Sequence, residues 1–300
     1  MWMYLGLLAA LFLGLHNLCK KHAVQGNEVF PVLFGTIVSG FLLLLPFFLG
    51  SVFYPEFMQS NTNFFIKSIP FKTHGFIAIK SAIMALSWVL AYQALKHLPI
   101  TIVTPIRSAG PFFTFLGAIL IYKEQPGFWQ WIGFFLIIFS VLLYSRIGKK
   151  EGIHFKRNKW IFAIIGATFL GASSGLYDKF LIQKLSLAPQ TLQFWFCFYT
   201  TLILLIILTI TWFPYVEKRK SFTFRWSIPA VGILLQTADY FYFKALQDPE
   251  AMIMLLSAIK RSQLIIAVVI GGIIFKEQNK RQKLVPLAGI LIGVFLILYT

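Results

Sequence analysis

Two adjacent cations, Lys260 and Arg261, stand near the middle of the apolar stretch AMIMLLSAIKRSQLIIAVVIGGIIFKE, residues 251–277. A cation at the centre of a bilayer costs at least about 2.5–3.5 kcal/mol on insertion scales. Two of them side by side need compensation from water, a carboxylate or an anionic ligand. Lys260 lies far from both flanks, so reaching an interface by snorkelling is strained. Two readings follow, an anion-binding site and a structural ion pair. A third cation occurs in matching context. QALKHLPITIVTPIRSAGPFFTFLGAILIYKEQ (93–125) aligns with KALQDPEAMIMLLSAIKRSQLIIAVVIGGIIFKEQ (244–278) across a two-residue gap, which sets Arg107 opposite Lys260. Pro105, Gly110 and Pro111 are expected to loosen the helix around Arg107 and free carbonyls beside it. Arg107, Thr104, Lys260 and Arg261 are therefore expected to converge.

Other polar residues fall within the apolar runs. Tyr240 and Tyr242, in TADYFYFKALQ, are candidate hydroxyl donors to an anion, or else interfacial belt residues. Asp239, in the same run, is a candidate counter-ion to Lys260 or Arg261, or a coupling group. Asp178 in Tyr177-Asp178-Lys179 has the same two roles open to it. Lys179, with Asn17, Lys20, Lys21 and His16 near the end of the first run, would line a gate or anchor the helix ends at the interface. Trp88 and Tyr92 share a helix face at i and i+4, suited to stacking on a solute ring or to packing. Glu124 and Glu277 close the two aligned segments at equivalent positions and read as helix-end polar contacts. Cys19 and Cys197 are isolated and read as packing residues. No nucleophile–base arrangement, metal-ligand cluster or phosphate-binding glycine loop is present, so neither an enzyme nor a cofactor is expected.

The elements that would carry these residues follow from composition. Of 300 residues 58% are hydrophobic and 12% charged, and mean hydropathy is +0.77. A soluble domain is nearer ~25% charged, so the chain reads as an integral membrane protein. Spans of about 20 apolar residues fall at 2–21, 28–50, 75–95, 99–122, 127–146, 159–182, 189–213, 227–246, 250–275 and 284–299. The first reads as a span and not as a signal peptide, with no transit peptide before it. The net charge of +17 is concentrated in short loops such as GKKEGIHFKRNKW, which suits anionic headgroups and not nucleic acid.

The aligned segments, with a looser match of FLGLHNLCKK (12–21) to FLGASSGLYDK (169–179), divide the chain into repeats at 1–146 and 159–300 around a basic linker at 147–158. Five spans per repeat is odd, so the second enters the membrane from the opposite side. The expected architecture is all-α, ten transmembrane helices as two inverted five-helix repeats, with a basic cavity between spans three, four, eight and nine. Loop charges place both termini outside the cytoplasm under the positive-inside rule. The pairs Gly171/Gly175 and Gly289/Gly293 have the GxxxG spacing of close helix contacts or a homodimer.

Ten spans, the duplication, and GPFFTFLGAILIYKE with its Pro111 and Glu124 resemble the drug/metabolite transporter superfamily, EamA type, over essentially the whole chain. Leu264 stands where the second repeat would match Pro111. Within that superfamily, Lys260-Arg261 resembles the Lys-Arg pair of the triose-phosphate and nucleotide-sugar translocators. That resemblance implies phosphate binding by the pair, helped by Arg107 and by Tyr240 or Tyr242. It also implies both termini in the cytoplasm, opposite to the loop charges.

The expected function is secondary active transport of a small anionic, phosphorylated organic solute by alternating access and exchange. One rival is a proton-coupled exporter of amino acids or other small metabolites, in which Asp239 or Asp178 titrates. Another is a non-transporting membrane scaffold. The expected partners are a small-molecule substrate and the lipid bilayer, and the expected location is a bacterial cytoplasmic membrane.

Overall fold

The computed structural model describes residues 1–24, 26–97, 106–107, 110–146, 158–214, 222–263, 266 and 280–299. Among them it is all-helical, with no strand. We number the helices α1 (Trp2–Val24), α2 (Val29–Phe53), α3 (Pro55–Asn61), α4 (Phe71–His97), α5 (Gly110–Tyr122) and α6 (Phe128–Arg146). There follow α7 (Lys159–Lys179), α8 (Pro189–Thr211), α9 (Ser227–Leu246), α10 (Ile253–Ile259) and α11 (Lys280–Leu298). A π-helical turn (Phe180–Lys184) extends α7, and a 3₁₀ turn (Lys260–Ser262) extends α10.

Among the described residues, five helical segments are long and apolar enough to cross a membrane: Trp2–Val24, Val29–Phe53, Phe71–Ala91, Lys159–Lys184 and Pro189–Thr211. At 1.5 Å per residue each of these matches or exceeds a hydrocarbon core of about 30 Å. Their outward faces are apolar, with Leu42, Phe47, Phe162, Phe169, Ile206 and Ile210 exposed. Apolar exposure on this scale fits lipid and not water.

The first and second halves of the chain interdigitate. α1 packs along α9 and α7 along α4; α2 packs on α9 and α8 on α4; α5 packs on α7, and α1 on α10 and its 3₁₀ turn. Three more pairs join helices at the same rank in each half: α2 with α8, α5 with α10, and α6 with α11. At the last of these, a Cβ on Gly133 would stand 2.5 Å from the carbonyl oxygen of Gly293, and one on Gly293 would stand 2.8 Å from that of Gly133. Only glycine permits so close a backbone crossing. The Gly289/Gly293 pair therefore packs within the chain.

Two elements depart from the sequence expectation. α3 occupies part of the polar stretch 51–74, which carries no apolar run to signal it. Pro55 starts the helix and Glu56 sits in its first turn, where both are favoured. Span nine, expected as one helix over 250–275, tightens into a 3₁₀ turn at Lys260. Consecutive residues there are about 120° apart around the axis and not about 100°. Residues 264–265 and 267–279 lie outside the described residues, as do 99–105 and 108–109 of span four.

Candidate functional site

α10 is the centre of the largest core cluster. Ile253, Met254, Leu255, Leu256, Ala258 and Ile259 are all buried, so the helix is enclosed by protein, with Ser257 its one polar side chain. It ends at Lys260. The Lys260 ammonium lies 3.7 Å from the centroid of the Tyr242 ring. Arg261 sets its guanidinium against Gly110 at the start of α5.

Two adjoining cavities meet at Lys260 and Tyr242. The larger, about 240 Å³, runs from Ala23, Val24 and Val32 near the α1–α2 connection to Lys80, Asp178 and Asp239. Its walls come from α1, α2, α4, α7, α8 and α9, a wider set than the four spans expected. Lys80 pairs with Asp178 at 2.9 Å, with both side chains buried. The Lys80 ammonium also stands 3.5 Å from the Phe196 ring centroid. The Tyr242 hydroxyl donates to the other Asp178 carboxylate oxygen over 3.4 Å. Tyr242 therefore touches one cation with its ring and a buried ion pair with its hydroxyl. Asp239 lines this cavity too, within electrostatic range of Lys260 and Lys80, and no ion pair holds it among the described residues.

The smaller cavity, about 230 Å³, holds Arg107, Lys260 and Arg261, with hydroxyls from Thr114, Thr168 and Ser257. No carboxylate lines it among the described residues. The Arg261 Nε is buried without a hydrogen-bond partner. Arg107 and Arg261 are close enough to interact as like charges. The three cations singled out in the sequence therefore share one chamber.

The other expected residues are distributed as follows. Trp88 and Lys20 line the larger cavity, as does Asn17, which also donates to Gln263 Oε1 over 2.9 Å and so ties α1 to the turn carrying Lys260. Tyr240 lines neither cavity; its ring stacks on Phe64, from the segment after α3. Gly171 and Gly175 face the cavities. Thr104 and the Tyr92 side chain lie outside the described residues. Lys179 is buried beyond the cavities against Glu124, at 2.6 Å.

One functional candidate was not singled out in the sequence. Lys80 is a lone lysine in an apolar span, and the rule that singled out Lys260 selects it as well. His16, expected at a gate or as an interfacial anchor, lines the larger cavity with Nδ1 3.1 Å from the Val231 carbonyl oxygen, which must accept. Its Nδ1 therefore carries the proton, which leaves Nε2 as the acceptor of the neutral ring.

A helical membrane protein with broken helices around charged internal cavities is the arrangement of secondary transporters. A model of the EamA-like transporter family matches residues 1–146 and 158–299, and the chain belongs to that family. It is thus an integral membrane protein of the drug/metabolite transporter superfamily. A similar chain is an uncharacterized protein of Methanocaldococcus jannaschii, 30% identical over 141 residues that make up 47% of this chain and 93% of that one. One solved crystal structure has the same fold, with a TM-score of 0.74 at 12% identity over 99% of this chain and 98% of that chain.

Proposed function

We propose that the protein is an alternating-access carrier of a small anionic solute, a phosphorylated organic compound, moved by exchange. Its ten spans form two inverted five-helix repeats. The matched helix pairings support that architecture: exchanging the halves turns α1–α9 into α7–α4, and α2–α9 into α8–α4. The Methanocaldococcus jannaschii relative, of which 141 aligned residues are 93%, supports a half-length unit.

The observation that carries the solute class is the smaller cavity, in which Arg107, Lys260 and Arg261 meet without a lining carboxylate. Closing the halves over three cations gathered in one chamber excludes water that would screen their mutual repulsion, and the cost of each charge rises. An anion there neutralises the cations and lowers the cost of closure. Carboxylates and phosphates both suit arginine geometry, and a phosphate dianion balances more of the charge. Only the loaded carrier then crosses cheaply, which favours exchange over net flow.

Ligand-dependent thermal stabilisation of the purified protein tests this, with phosphate, sugar phosphates, nucleotide sugars and amino acids as the panel. A ligand at a hundredfold excess over Kd stabilises the folded state by about 2.7 kcal/mol. Phosphorylated compounds should raise the melting temperature of the parent and not of Lys260→Ala. If only amino acids do so, in both proteins, the anion reading is wrong.

Asp239 favours a second reading, proton-coupled export. Its carboxylate lines the larger cavity with no ion-pair partner among the described residues. Transport driven by a pH gradient and lost in Asp239→Asn would select that reading.

A further inference from the structure

We infer that Glu124 is a positioning residue that holds the cationic turn in place and, with Lys179, closes the larger cavity toward the α9–α10 connection. The inference rests on the alternating-access reading and is independent of the solute.

Glu124 follows α5, and its carboxylate reaches across to the opposite half of the chain. Oε1 accepts from the backbone N–H of Ile253 over 2.7 Å and from the Lys179 ammonium over 2.6 Å. Oε2 accepts from the N–H of Met254 over 3.1 Å. Lys179 also donates to the Ala251 carbonyl over 2.8 Å. One carboxylate thus ties together the ends of α5, α7 and α10, and Glu124, Lys179, Ala251, Ile253 and Met254 are all buried. Six residues beyond Met254, α10 delivers Lys260, so the first turn of this short helix fixes where the cations stand.

The backbone is strained to make this contact. Lys123 has φ 53°, in the left-handed region that glycine usually fills. The turn it makes is closed by Lys123 N–H to Ile119 O and Glu124 N–H to Ala118 O. Without it, the chain leaving α5 would carry Glu124 away from α10.

The pair is also linked to the cavity. Asp178 and Lys179 are neighbours on α7, about 100° apart around the helix. Asp178 faces Lys80 and Tyr242 in the cavity, and Lys179 faces Glu124. A π-helical turn begins at the next residue, Phe180, a local widening that recurs where helices must adjust. A rotation of α7 that moved Asp178 on solute binding would move Lys179 on Glu124 as well. The repeat counterpart, Glu277, lies outside the described residues.

The test uses the full chain with Cys19 and Cys197 replaced by alanine and Ser174→Cys as a reporter in the larger cavity. A membrane-impermeant maleimide is applied to each face of sealed vesicles without any solute, so a wrong solute class leaves the result unchanged. The parent should label from the face bearing the α1–α2 connection. Glu124→Gln, which keeps the shape and loses the ion pair, should label at least about tenfold faster from the other face, with Glu124→Asp in between. Unchanged one-sided labelling in Glu124→Gln overturns the proposal. If that variant does not accumulate, Lys179→Gln is read by the same criteria. If neither accumulates, the pair is a structural staple and the gate assignment falls.

Discussion

Lys260 rests its ammonium 3.7 Å from the centre of the Tyr242 ring, so in this structure a central cation of the site is held by an aromatic face. A desolvated cation–π contact contributes about 2 kcal/mol. Tyr242→Phe keeps the face and removes only the long bond to Asp178. It should lower the melting temperature in detergent slightly, and Tyr242→Leu by several degrees more. Equal losses in the two variants would mean that the ring face does not hold Lys260.

The Lys80–Asp178 pair makes a sharper comparison. Removing one partner of a buried pair leaves an uncompensated charge and costs about 3–5 kcal/mol, whereas removing both is often near neutral. Lys80→Met and Asp178→Asn should each destabilise strongly, and the double variant should recover most of the loss. Thermal unfolding of the four proteins closes the double-mutant cycle. Additive losses would contradict the pairing.

Where α6 crosses α11, Gly133→Ala and Gly293→Ala each drive a methyl group into backbone, and neither helix can yield by a rotamer change. Overpacking of this kind costs about 1–3 kcal/mol. Gly75 has open space at its Cβ position within α4, so Gly75→Ala should be neutral or stabilising by about 0.5–1 kcal/mol. Expression level and melting temperature of the three variants give the ranking.

Lys123 supplies a fourth expectation. A left-handed residue with a side chain costs about 1–2 kcal/mol that glycine avoids. Lys123→Gly should hold or raise the melting temperature, while Lys123→Val, β-branched at φ 53°, should lower it markedly. A stabilising valine would refute the strain assignment.

Most helices were legible because an apolar run of span length has few alternatives; α9, expected at 227–246, is Ser227–Leu246. α3 was not, because seven residues in a polar stretch carry no periodic signal. The meeting of Arg107 with Lys260 followed from the repeat alignment. The choice between Tyr240 and Tyr242 was also within reach. Residues two apart on a helix point about 200° apart, so both cannot face one site. Asp239 and Tyr242, three apart, share the cavity face. The reach of Glu124 to α10 was hidden, since nothing in IYKEQ reveals a left-handed lysine or names its partners. Lys80 was less legible than Lys260, because it stands alone in its apolar run with no second cation beside it.

The interlocking of the halves has a consequence for how the protein is made. Lys80 emerges from the ribosome about 98 residues ahead of Asp178, some 5–20 s at ordinary rates of synthesis. For that interval α4 carries a buried-type lysine with no carboxylate to meet it, and Glu124 waits for both Lys179 and α10. The first half must be held by the insertion machinery, or keep Lys80 at the water interface, until its counterpart arrives. The charges that organise the finished carrier thus also set the order in which its helices can leave for the lipid.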